Sequence, residues 1–116
     1  MIYKVIENYK SQYNDPIHIQ FGTLLNIEKE DSEYPGWFFC RIKNHSQHKG
    51  GWVPKSVIAF TSQAQGYAIE EYTAKELDIL AGEIIEKIKE INGWIWCKKI
   101  NNCEEGWIPA DIISEV

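Results

Sequence analysis

The sequence predicts an all-β protein made of two small five-stranded β-barrels in tandem. Three observations carry this reading. Four sequence blocks recur in the same order. Short apolar runs are punctuated by turn residues. The length of 116 residues allows one ordinary domain or two very small ones.

The blocks justify the elements in order. Val5-Ile6-Glu7-Asn8-Tyr9 returns as Ala68-Ile69-Glu70-Glu71-Tyr72, at a shift of 63. Ile17 to Leu25 returns as Leu77 to Ile85, at a shift of 60. Gly36-Trp37-Phe38-Phe39-Cys40 returns as Gly93-Trp94-Ile95-Trp96-Cys97, at 57. Gly51-Trp52-Val53-Pro54 returns as Gly106-Trp107-Ile108-Pro109, at 55. The shift falls because the first copy carries extra residues between blocks, where loops tolerate them. Ile84 to Ile91 has the propensity of a helix, but Asn92-Gly93 ends it and a β-rich run follows. Lys49-Gly50-Gly51 and Asn101-Asn102 read as turns between strands. The copies are placed at 1–60 and 67–116, with the polar stretch Thr61 to Gly66 as a linker. A copy of this size is near the lower limit for a self-supporting core, which favours a nearly closed small barrel.

Composition narrows the function. Thirteen per cent aromatic residues, with five Trp, exclude a disordered chain. No apolar run reaches the roughly 18 residues of a membrane span. The start Met1-Ile2-Tyr3-Lys4 does not read as a secretory signal, so a cytoplasmic location is expected. Three Cys form no disulfide framework. The net charge of −5 argues against nucleic acid as a partner. The copies differ in charge: residues 1–60 hold 7 Lys+Arg and 6 Asp+Glu, and residues 61–116 hold 5 and 11. That asymmetry points to a basic partner.

Each copy resembles a Src homology 3 (SH3) domain. The resemblance rests on Ala68-Ile69-Glu70-Glu71-Tyr72, Glu76-Leu77-Asp78-Ile79-Leu80-Ala81-Gly82-Glu83, Trp94-Ile95, and Gly106-Trp107-Ile108-Pro109-Ala110-Asp111-Ile112-Ile113. The first copy is the looser match. The resemblance implies an aromatic groove that receives a left-handed Pro-rich segment, with a loop acid pairing a ligand cation. It assigns Tyr72, Glu76, Trp94, Trp107 and Pro109 to the groove of the second copy. It assigns Tyr9, Trp37, Trp52 and Pro54 to that of the first. Two aromatic walls of the family groove are replaced in both copies, by Glu7 and Glu70 and by Val57 and Ile112. Pro16 stands where the second copy has the acid Glu76. A variant recognition mode is therefore expected.

Alternation in the strands sorts the remaining residues. Trp52 and Trp107 precede the core residues Val53 and Ile108 and so face the opposite side. Trp37 and Trp94 read either as exposed groove anchors or as plugs at the junction between the copies, and Trp96 as flank packing. Pro54 and Pro109 follow strand ends and turn the chain into short 3₁₀ segments. Cys40 and Cys97 read as small core residues. The acidic run Glu28 to Glu33 reads as a solvated loop or a counter-charge beside Trp37. His45-x-x-His48 and the Cys have no assured meeting point, so neither metal nor cofactor is expected. No cleft holds a nucleophile, base and orienting group, so no catalysis is expected. The expected function is a non-enzymatic module binding a basic or Pro-rich protein or peptide. The alternatives are a bacterial SH3-like module for cell-wall peptides or glycans, and a small-ligand sensor with a pocket between the barrels.

Overall fold

A computed structural model describes residues 1–44 and 48–116. The described residues form twelve strands. They are β1 (Ile2–Val5), β2 (His18–Ile19), β3 (Leu24–Glu30), β4 (Trp37–Ile42), β5 (Gly51–Pro54) and β6 (Ile58–Phe60). They continue with β7 (Gln65–Ala68), β8 (Tyr72–Thr73), β9 (Ile84–Ile91), β10 (Trp94–Lys99), β11 (Glu105–Pro109) and β12 (Ile113–Glu115). Single 3₁₀ turns, Lys55–Val57 and Ala110–Ile112, follow the two prolines as expected. The protein is all-β, and Ile84–Ile91 is a strand.

Two compact units account for the chain. The continuous unit is Asp15–Ala74, and the discontinuous unit combines Met1–Asn14 with Lys75–Val116. The continuous unit holds a five-stranded sheet in the order β5-β4-β3-β7-β6 and a two-stranded sheet β2-β8. The discontinuous unit holds the five-stranded order β11-β10-β9-β1-β12. Both five-stranded sheets are open, and neither closes into a hydrogen-bonded barrel.

The units do not follow the division at 60 and 67 read from the repeat. β7 belongs to the second copy by sequence, yet it pairs with β3 and β6. β1 belongs to the first copy, yet it pairs with β9 and β12. The registers are equivalent: Tyr67 lies opposite Leu24 and Ala59, and Lys4 lies opposite Ile84 and Ser114. The two copies have exchanged their first strands. The physical reason lies in Thr61 to Ala64. The N–H groups of Thr61 and Ser62 both donate to the Gln65 carbonyl (2.9 and 3.2 Å). The expected linker is thus a tight hairpin turn, and Gln65 and Gly66 are already strand. Closing so short a loop costs little chain entropy, so β7 pairs beside β6.

Strand alternation builds each core. β10 buries Ile95, Cys97 and Lys99 and leaves Trp94, Trp96 and Lys98 only partly covered. In the discontinuous unit Ile95 and Cys97 join Val5, Leu77, Ile79, Ile85, Ile108 and Ile112. In the continuous unit Ile17, Ile19, Leu25, Cys40, Val53 and Val57 are buried. The amine of Lys99 lies 3.7 Å from both Glu83 and Glu104, which keeps its charge paired at the rim. β3 and β9 each carry a register irregularity, at Glu28 and at Ile88, that increases local twist.

Candidate functional site

In the discontinuous unit one sheet face carries an aromatic row. Trp94 lies opposite Pro109, and Trp96 opposite Trp107, on the β10–β11 ladder. Cross-strand partners share a face, as do residues two apart on one strand. Trp96 meets Trp107 edge-on at 5.4 Å, and its indole N–H donates to Glu105 Oε1 at 2.8 Å. The Lys89 amine sits 5.8 Å from the Trp107 ring centroid. Under these partners Trp107 is buried, and so is Pro109.

Trp94 is half-buried and meets Tyr9 edge-on, with centroids 5.9 Å apart at 78°. The Tyr9 hydroxyl donates to Glu76 Oε1 at 2.8 Å. The Gln12 N–H donates to the same oxygen at 3.1 Å, and the Ser11 N–H to Asp78 Oδ1 at 2.7 Å. Two acids thus pin the segment that carries Tyr9. Tyr9 is also held by reciprocal backbone bonds with Ile79, both 2.8 Å. Glu76 and Trp107 form a parallel bridge, which brings the acid to the aromatic row. The result is a half-buried cluster of Tyr9, Trp94 and Glu76, with Pro109 opposite Trp94 on the ladder.

The continuous unit repeats this plan with less access. Trp37 lies opposite Pro54 and Phe39 opposite Trp52. Phe39 meets Trp52 edge-on at 5.3 Å, and the Lys29 amine lies 6.0 Å from the Trp52 ring. The Tyr72 hydroxyl donates to the Trp52 carbonyl at 2.9 Å. Trp37 is only 5% exposed and Tyr72 6%, Pro54 is buried, and Trp52 is half-buried.

These positions regroup the residues expected from sequence. Tyr9 joins Glu76, Trp94, Trp107 and Pro109, not Trp37, Trp52 and Pro54. Tyr72 joins the first-copy residues instead. The cause is the strand exchange, which carries each Tyr with its strand. Trp37 is not the exposed anchor that its position suggested, whereas Trp94 keeps part of its surface open. Trp96, expected only as flank packing, lies on the same face as Trp94, as alternation in Trp94-Ile95-Trp96 dictates. The acidic run before Trp37 is engaged locally. Glu28 pairs with Arg41, Glu30 accepts from the Gly36 N–H, and Asp31 accepts from Glu33 and Tyr34 N–H groups. His45 lies outside the described residues, and His48 is 3.6 Å from Asp15. Burial pushes the thiols of Cys40 and Cys97 up to about 12, which suits core residues and not nucleophiles.

Comparison with known proteins identifies a family for the first half of the chain. A family model described as variant SH3 domain matches residues 2–60, just over half of the chain. The chain belongs to the variant SH3 domain family. Myosin-1 of Yarrowia lipolytica (strain CLIB 122 / E 150) is 40% identical over 53 residues. That match covers 42% of this chain, and the chain spans 4% of that protein's length. No solved structure matches. No helix among the described residues is long and apolar enough to cross a membrane.

Proposed function

We propose that the chain is a tandem of two SH3-type units that acts as a non-enzymatic protein-interaction module. Its working site is the half-buried cluster of the discontinuous unit. An extended segment with an apolar or proline side chain lies on Trp94 and Tyr9, beside Pro109, and a basic side chain reaches Glu76. The carrying observation is the Tyr9–Trp94 edge pair with the Tyr9 hydroxyl fixed on Glu76 Oε1. That pair presents an oriented aromatic wall beside a carboxylate whose two bonds use one oxygen. Ring faces suit proline, and a carboxylate suits Lys or Arg. In the continuous unit Trp37, Trp52, Pro54 and Tyr72 form the equivalent surface, and their burial makes it the weaker one.

The test is Trp fluorescence titration with Pro-rich peptides that do or do not carry Arg. A saturable change is expected with the basic peptides. It should weaken about tenfold or more in Trp94→Ala, the loss typical of an aromatic anchor. Glu76→Gln should weaken it less and reduce its salt dependence. Absence of any peptide response, with binding of muropeptides instead, rejects the proposal in favour of a cell-wall module.

A further inference from the structure

We infer that Met1–Asn14 is a donated strand, recognised by residues 75–116 through a slot in their sheet and not through local continuity of the chain. β1 lies between β9 and β12 and is bonded on both edges. Val5 N–H donates to the Glu83 carbonyl (2.9 Å), and the Gly82 N–H donates to the Val5 carbonyl (2.8 Å). Ile6 N–H donates to the Ile112 carbonyl (2.7 Å), and Lys87 N–H to the Met1 carbonyl (2.9 Å). Ala81 N–H donates to Asn8 Oδ1 (2.7 Å). Val5 is 0% exposed and sits in the core with Leu77, Ile79 and Ile85. These partners are more than seventy residues away in sequence. A sheet lacking its second-last strand has two unpaired inner edges and an open core, so the slot is complete only when filled.

One position makes the choice of strand selective. Tyr3 and Gly66 are equivalent: Tyr3 lies opposite Ile85 and Glu115, Gly66 opposite Leu25 and Phe60. A Cβ at Gly66 would come within 2.5 Å of the Ala59 carbonyl oxygen and 3.1 Å of Ile58 Cγ2. The continuous unit therefore rejects a strand carrying Tyr at this place. The slot of the discontinuous unit accepts Tyr3, which packs on its core with the Lys87 amine 5.8 Å from its ring. The β1 strand is matched to the second copy's sheet and mismatched to its own. The halves 1–62 and 63–116 thus recognise each other reciprocally, as two separate chains would.

The test uses the full chain. A protease recognition sequence is inserted between Ser62 and Gln63 in the hairpin turn, and the folded protein is cut under reducing, native conditions. The expected result is one particle of uncut size that contains both fragments. Separation into two folded half-size species, or unfolding on cleavage, overturns the inference. A second measurement reads amide NMR signals in Val5→Asp and Ala68→Asp. Val5→Asp should remove dispersed signals from 75–116 and spare 15–74, and Ala68→Asp should do the reverse. Loss from 15–60 with 67–116 spared in Val5→Asp overturns it. If either variant unfolds entirely, the cleavage result decides.

Discussion

At the residue scale, Cys40 and Cys97 show how position sets chemistry. Both thiols lie at 0% exposure on a strand paired along both edges. Burial, the larger cause, raises Cys40 to about 12, and Glu28 adds to it. Burial likewise raises Cys97 to about 12, opposed by Lys99. Below pH 9, the ordinary thiol value, both states keep the proton and stability is unaffected. Between 9 and 12 the unfolded chain releases protons that the folded chain retains, so stability falls as pH rises. The slope is at most about 1.4 kcal/mol per pH unit for each thiol. Urea midpoints at pH 7.5 and 10 should therefore differ, and the fall should be smaller in the Cys40→Ala/Cys97→Ala variant. An equal fall in that variant would assign the effect to other groups.

At the element scale, the first strands carry the distinctive features of this fold. Gly66 in β7 faces a backbone carbonyl at a distance that no Cβ tolerates. Gly106 in β11 faces Leu77, where an added Cβ would lie 2.9 Å from Cγ and 3.2 Å from the backbone N. The approach at Gly66 is the closer, and its carbonyl belongs to the neighbouring strand. Gly66→Ala should therefore destabilise by about 1–3 kcal/mol, with Gly106→Ala at the lower end of that range. Denaturant midpoints check this order. The strands themselves were legible in the sequence, because turn residues and alternation are local signals. Ile84–Ile91 illustrates this: its composition suits a helix, but Asn92-Gly93 and the β-rich run beyond it decide for a strand. Which sheet β1 joins was not legible, since Val5 and Ala68 are interchangeable by pattern. The candidate site was legible as a set of residue types and illegible as a grouping, because Tyr9 and Tyr72 travel with the exchanged strands.

At the scale of the whole molecule, the exchange redistributes the charge. The discontinuous unit carries 7 Lys against 10 Asp+Glu, a net −3, and the continuous unit 5 Lys+Arg against 7 Asp+Glu, a net −2. The asymmetry between copies therefore does not survive as an asymmetry between units, and the case for a basic ligand rests on Glu76 beside Tyr9. The continuous unit is one stretch of chain, so a fragment 15–74 should fold alone. Dispersed amide signals and a cooperative melt are the expected observations, and a featureless spectrum would contradict the boundaries. The amino-acid sequence by itself determined the all-β class, the strand-forming blocks and the buried small residues Cys40 and Cys97. Each of these depends on periodicity and turn chemistry within a few residues. Only the tertiary structure decided the pairing of first strands, the membership of each aromatic cluster and the burial of Trp37. The physical reason is that these depend on contacts distant in sequence: β1 bonds partners more than seventy residues away, and β7 pairs with both β6 and β3.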